Sequence, residues 1–166
     1  LKHPELPQYH FYECEPLLDS SNMSTDNWNQ LAEIIATHRD RMDGFVILHG
    51  TDTLAYTASA LSFMLENLDK PVIVTGSQLP LTALRTDAID NIVTALLLGA
   101  TPALREVCVY FNQRLLRGNR TRKLYTHRLD AFHSPNYPCL AEIGIQITLK
   151  EAYLLPKQVG AFRWQA

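Results

Sequence analysis

No stretch limits this chain more than Gly44-Phe45-Val46-Ile47-Leu48-His49-Gly50-Thr51-Asp52-Thr53. Its apolar, branched and aromatic residues are bounded by Asp43-Gly44 and His49-Gly50, which predicts a strand buried in a parallel sheet. From Thr53 the pattern changes, because Leu54, Ala58, Leu61, Met64, Leu65 and Leu68 recur at helical spacing. Gly50-Thr51-Asp52 is then the turn between the carboxyl end of a strand and the start of a helix. Open α/β sheets hold their ligands at such corners. A lone Thr or Asp there is commonly a helix cap, so the pair gains meaning only from what else reaches the same corner.

The chain repeats this scheme. Strands are predicted near 9–14, 44–48, 71–75 and 106–111, and helices near 25–38, 53–67 and 88–100. Tyr9 to Cys14 is short and aromatic, and Pro16 ends it. Ser24 or Thr25 caps a helix whose apolar face is Trp28, Leu31, Ile34 and Ile35. Val72-Ile73-Val74-Thr75 breaks at Gly76 into Ser77-Gln78-Leu79-Pro80, and Pro102 stops the third helix. After Val107 to Phe111, five of the twelve residues 112–123 are cationic, a run that reads as a solvated loop. Ile143 to Ile147 alternates like a half-exposed strand, and residues 160–166 show no terminating element. Alternating strands and helices with short connections predict an α/β fold, a doubly wound and mainly parallel sheet, in a single domain over 1–166. The polar loops after its strands gather on one edge.

Those loops carry Ser20, Thr51, Asp52, Ser77 and Lys123. A net charge of -2 gives no basic field for nucleic acid. No apolar run approaches the roughly 20 residues that cross a bilayer, and no signal-peptide pattern opens the chain. Neither a GxxxxGK[ST] loop nor a GxGxxG occurs, the six histidines lack metal-ligand spacing, and three distant cysteines suit reduced thiols. A small neutral or zwitterionic substrate is expected, with no cofactor, no metal, no nucleic acid, no membrane and a cytoplasmic address. For such a substrate the hydroxyl, carboxylate and amine have a use. A desolvated amine can take a proton from a hydroxyl, a carboxylate can orient that amine, and the same carboxylate can receive a substrate ammonium.

His49-Gly50-Thr51-Asp52-Thr53, preceded by Asp43-Gly44-Phe45-Val46, resembles a signature of the L-asparaginase/glutaminase family of amidohydrolases. Asp19-Ser20-Ser21-Asn22-Met23, Pro71 to Gln78 and Arg117 to Lys123 resemble its other segments in the same order, over about residues 9–150. Ser62 to Leu68 and the Asp19 loop are most similar to the cytoplasmic, type I bacterial branch. The resemblance implies hydrolysis of L-asparagine through an acyl-enzyme and assembly as a homo-oligomer, a dimer or tetramer. It implies that Ser20, with Ser21 adjacent, meets the substrate α-carboxylate and Asp52 its α-amino group. Thr51, Lys123 and Asp52 would form the Thr-Lys-Asp set, with Ser77 against the side-chain amide. Thr86-Asp87 and Asn91 match a further family stretch, with Ala88 where Gly is usual. The family's nucleophile lies on a first strand ending in Thr-Gly-Gly-Thr, a sequence that does not occur here. The expectation is therefore a fragment, lacking that strand and a second domain, and inactive alone. Two other readings are a non-catalytic remnant acting as a binding or interaction module, and an asparaginase-like subunit of a tRNA-dependent amidotransferase.

Overall fold

The computed structural model describes residues 3–166. Its helices are α1 (Thr25–His38), α2 (Leu54–Met64) and α3 (Ala88–Gly99). Its strands are β1 (Phe45–Leu48), β2 (Leu65–Glu66), β3 (Val72–Thr75), β4 (Val107–Phe111), β5 (Arg114–Arg117), β6 (Arg122–Lys123), β7 (Phe132–His133), β8 (Ala141–Ile143), β9 (Ile147–Leu149) and β10 (Arg163–Trp164). The central sheet has the order β1-β3-β4-β5-β8-β9. β1, β3 and β4 run parallel, with Val46 opposite Ile73 and Ile73 opposite Cys108. β5, β8 and β9 continue the sheet antiparallel.

The two-residue period of the strands sorts their side chains between two cores. Val72, Val74, Val107, Val109 and Phe111 pack with Ala32 and Ile35 of α1 and Leu54, Ala58 and Leu61 of α2. Ile73, Cys108 and Tyr110 pack with Ala95 and Leu98 of α3 on the opposite face. Helices on both faces of a parallel centre make this the α/β, doubly wound class that the sequence predicts. Connections β1–α2–β3 and β3–α3–β4 carry the chain back to the same end each time, so their following loops share one edge.

Four expectations change. Residues 9–14 form no strand, and Tyr9, Phe11 and Tyr12 are exposed. Aromatic content marks compatibility with a pleated surface, but a strand also needs a partner edge. The third helix begins and ends as expected, whereas α2 stops at Met64 and not near 67. Leu65–Glu66 leaves the helix to pair with Arg163–Trp164, and Asn67 takes φ 54°. The tail at 160–166 is thereby anchored, with Asn67 Nδ2 donating to Ala161 O at 2.9 Å.

The basic run is not a solvated loop throughout. Leu115 and Leu116 are buried in β5, and Arg117 pairs with the buried Glu106 at 2.7 Å. Asn112 and Gln113, with φ 46° and 61°, make the two-residue turn from β4. Finally, residues 143–147 are not one strand: Ile143 ends β8, Ile147 opens β9, and residues 144–146 turn between them, with Gly144 N donating to Gln146 O.

Candidate active site

β1 delivers His49-Gly50-Thr51-Asp52 to the carboxyl edge of the sheet. His49 N donates to Thr75 O at 2.8 Å, so the turn starts in register with β3. Its imidazole then anchors the turn from below. The Gly50 carbonyl can only accept, so His49 Nδ1 carries the proton and donates to it at 2.7 Å. The remaining His49 Nε2 accepts from Thr57 Oγ1 at 2.9 Å, and Trp28 Nε1 donates to that same hydroxyl at 2.9 Å. A neutral ring satisfies every member of this chain. Burial pushes the His49 imidazole below its ordinary pKa, with the Gly50 hydrogen bond pulling the other way.

Lys123 reaches the turn from β6, which follows the β5 strand across the sheet. Its Nζ donates to Thr51 Oγ1 at 2.9 Å and to Asp52 Oδ1 at 3.3 Å. Their exposures differ: the Lys123 side chain is 17% exposed and the Asp52 side chain 64%. The amine is largely shielded and the Thr51 hydroxyl half-buried, while the carboxylate can still meet an incoming cationic group.

Ser20 lies over the same turn. It opens a short 3-10 turn, Ser20–Asn22, capped by Asp19, and is 7% exposed. A Cβ at Gly50 would run into Ser20 Oγ, so only glycine lets the two segments close. Thr53 Oγ1 donates to Ser20 O at 2.6 Å and completes the junction. Ser21, beside it and exposed, donates both its backbone N–H and its hydroxyl to Asp19 Oδ1, at 3.0 and 2.9 Å. Those two bonds, the backbone one foremost, hold the Asp19 carboxyl below its ordinary pKa.

Ser77 belongs to the loop after β3 and is half-buried. A Cβ at Gly76 would strike the His49 carbonyl oxygen, so the loops after β1 and β3 touch backbone to backbone. Lys123, Thr51 and Asp52 are thus in direct contact, Ser20 is tied to their turn, and Ser77 stands on the adjoining loop. The His49–Thr57–Trp28 chain and the bonds that hold the Ser77 loop were not singled out from sequence. Spacing of 8 and 29 residues between partners leaves no local pattern to find.

The fold and this cluster together define an α/β protein with a half-buried hydroxyl–amine pair beside an open carboxylate at the sheet's carboxyl edge. Residues 3–154 match the family described as "Asparaginase, N-terminal". L-asparaginase 1 of Escherichia coli strain K12 is 58% identical over 144 residues, covering 87% of this chain and 43% of that protein. The 60 kDa lysophospholipase of Mus musculus is 49% identical over 141 residues, covering 85% of this chain and 25% of that protein. The crystal structure of L-asparaginase I from Vibrio cholerae O1 biovar eltor superposes with a TM-score of 0.91 at 51% identity, covering 98% of this chain and 50% of that one. The chain belongs to the asparaginase family. It spans half or less of the length of each of these relatives.

Proposed function

We propose that this chain is the substrate-holding and proton-transferring part of an L-asparagine amidohydrolase, which converts L-asparagine and water to L-aspartate and ammonia. The observation that supports this most is the half-buried 2.9 Å bond between Lys123 Nζ and Thr51 Oγ1, flanked by the open Asp52 carboxylate. A hydroxyl nucleophile attacks the side-chain amide carbon, the C–N bond breaks, and water then cleaves the acyl ester. Lys123 and Thr51 form the path by which the proton leaves the attacking oxygen and reaches the departing nitrogen. Asp52 orients Lys123 and receives the substrate ammonium, Ser20 receives the α-carboxylate, and Ser77 meets the amide.

Thr51 donates its place to proton transfer and not to attack, because the amine it contacts is already shared with Asp52. The nucleophile belongs on the Thr-Gly-Gly-Thr strand that the family resemblance implies, which these 166 residues do not contain. The chain by itself is therefore inactive. The reading also carries a cytoplasmic location and a homo-oligomer. Support for the latter comes from Tyr56 and Phe63, 67% and 69% exposed on α2. No helix among the described residues is long and apolar enough to cross a membrane.

The test exchanges the matching 144 residues of the E. coli enzyme for those of this chain. The chimera should release ammonia from L-asparagine, and Lys123→Ala should lower kcat by about 10²–10⁴ with far less change in KM. The 166-residue chain alone should release none. Unchanged kcat in the Lys123→Ala chimera contradicts the proposal. Ammonia from the chain alone, abolished by Thr51→Ala, would make Thr51 the nucleophile.

A further inference from the structure

Two polar side chains that the proposed reaction does not use, Asp87 and Asn91, close on the loop after β3. Asp87 stands at the N-cap of α3, yet its side chain makes no capping bond to that helix. An Asp in this place ordinarily satisfies the N–H groups of its own first turn. Here Ala88 N donates to Thr86 Oγ1 at 3.1 Å instead. The Asp87 carboxylate faces across the loop, where Gln78 N donates to Oδ2 at 2.9 Å and Leu79 N to Oδ1 at 3.0 Å.

Asn91 is 1% exposed and completes the clamp. Its Nδ2 donates to Gly76 O at 2.9 Å and to Asp87 Oδ2 at 3.3 Å, while its Oδ1 accepts from Asn112 N at 3.1 Å. One amide thus joins the end of β3, the start of α3 and the β4–β5 turn. Gln78 extends the connection, since its Nε2 donates to Thr126 O at 3.2 Å and to Arg128 O at 2.9 Å. Those carbonyls lie between β6 and β7, directly after Lys123. Ser77 is therefore held from both neighbours, through the Gly76 carbonyl and the Gln78 amide.

We propose that Asp87 and Asn91 are positioning residues that fix the Ser77 loop relative to the Lys123–Thr51 pair, and thereby the side-chain length of the amide substrate admitted. This rests on the amidohydrolase reading above. L-asparagine and L-glutamine end in the same amide and differ by one methylene. One methylene is worth about 10–200-fold in discrimination, and a misplacement of about 1 Å can cost about 100-fold. A loop that separates the two must be rigid, and a clamp of the half-buried Asp87 carboxylate and the buried Asn91 amide supplies that rigidity without touching the substrate.

Two readouts test it. In the 166-residue chain, Asp87→Asn should speed hydrogen exchange at the Gln78 and Leu79 amides by about tenfold or more, since it removes charge-assisted acceptors. In the chimera with the E. coli enzyme, the same substitution should lower the ratio of kcat/KM for L-asparagine over L-glutamine by about tenfold. Leu98→Ala, which loosens α3 far from the loop, should reduce stability and keep the ratio. Asn91→Asp offers a second route should Asp87→Asn fail to fold, with the same expected direction. Unchanged exchange at both amides overturns the proposal, as does a ratio that moves no further than in Leu98→Ala. Chimeras inactive on both amides, wild type included, would instead contradict the amidohydrolase reading. Exchange at Gln78 and Leu79 would then decide the clamp, faster exchange supporting it and unchanged exchange overturning it.

Discussion

Two loops leave neighbouring parallel strands at the same edge, and they are supported in opposite ways. The turn after β1 is contacted by groups that can themselves react: Lys123 bonds Thr51 and Asp52, and the Asp52 side chain stays 64% exposed. The loop after β3 is held from within by Asp87 and Asn91, whose partners are backbone amides and carbonyls. Topology places both loops where a ligand can reach them. What differs is whether the supporting polar groups are left with capacity for a substrate. Along the first loop they are, so it suits proton transfer and ammonium binding. Along the second they are consumed, so it suits the setting of a shape.

Removing the internal support should have the largest effect on stability. Asn91→Leu leaves Gly76 O and Asn112 N without their partner in half-buried positions, at up to about 1–3 kcal/mol for each such group. A loss near 3 kcal/mol is expected in urea unfolding of the chain. A loss below about 0.5 kcal/mol would mean that water replaces the amide and that the second loop is no more rigid than the first.

The contact between the loops can be broken directly. Gly76→Ala drives a Cβ into the His49 carbonyl, which belongs to backbone fixed by Thr75 and cannot yield. Gly50→Ala meets Ser20 Oγ, which can rotate away, and Ser20 Cβ, which moves only with its own short turn. Overpacking of this kind costs about 1–3 kcal/mol, and Gly76→Ala should lie at the upper end and Gly50→Ala at the lower. Thermal unfolding of the two variants ranks them, and the reverse order would show that the loops are not locked backbone to backbone.

The smallest effect expected is on pH dependence. His49 is held neutral, with its pKa lowered by burial, and it supports only the first loop. In the unfolded chain its imidazole binds a proton near pH 6.5, and in the folded chain only at lower pH. Its contribution to stability is thus present above about pH 6.5 and is lost as pH falls toward the folded value. His49→Gln should flatten that part of the stability profile between pH 7 and pH 5. An unchanged slope would place the acid sensitivity elsewhere.

The sequence carried the centre of the fold because the signals there are local. Apolar runs at 45–48, 72–75 and 107–111 have turn residues on both sides, and the three helices show one-sided apolar spacing. Signals that depend on a partner are not local. Tyr9 to Cys14 has strand composition yet is not built into the sheet, and β5 hides in a basic run because Asn112-Gln113 lacks the glycine that announces a two-residue turn. The ends of α2 and of the chain define each other through the β2–β10 pair, which neither segment reveals alone. Thr51, Asp52, Ser20, Ser77 and Lys123 stand in motif-bearing loops that local sequence displays. Asp87 and Asn91 were visible as a matched stretch, but their work is done on backbone groups 8 to 21 residues away, which side-chain spacing cannot show.

The division of labour between the two loops is tested most directly by a crystal structure of the chimera with L-aspartate bound. The expected complex has the α-ammonium at Asp52, the α-carboxylate at Ser20 and the side-chain carboxylate between Thr51 and Ser77, with the Asp87 and Asn91 bonds intact. L-aspartate bound in the reverse sense, with its α-ammonium on the Ser77 loop, or bound away from the carboxyl edge, would contradict it.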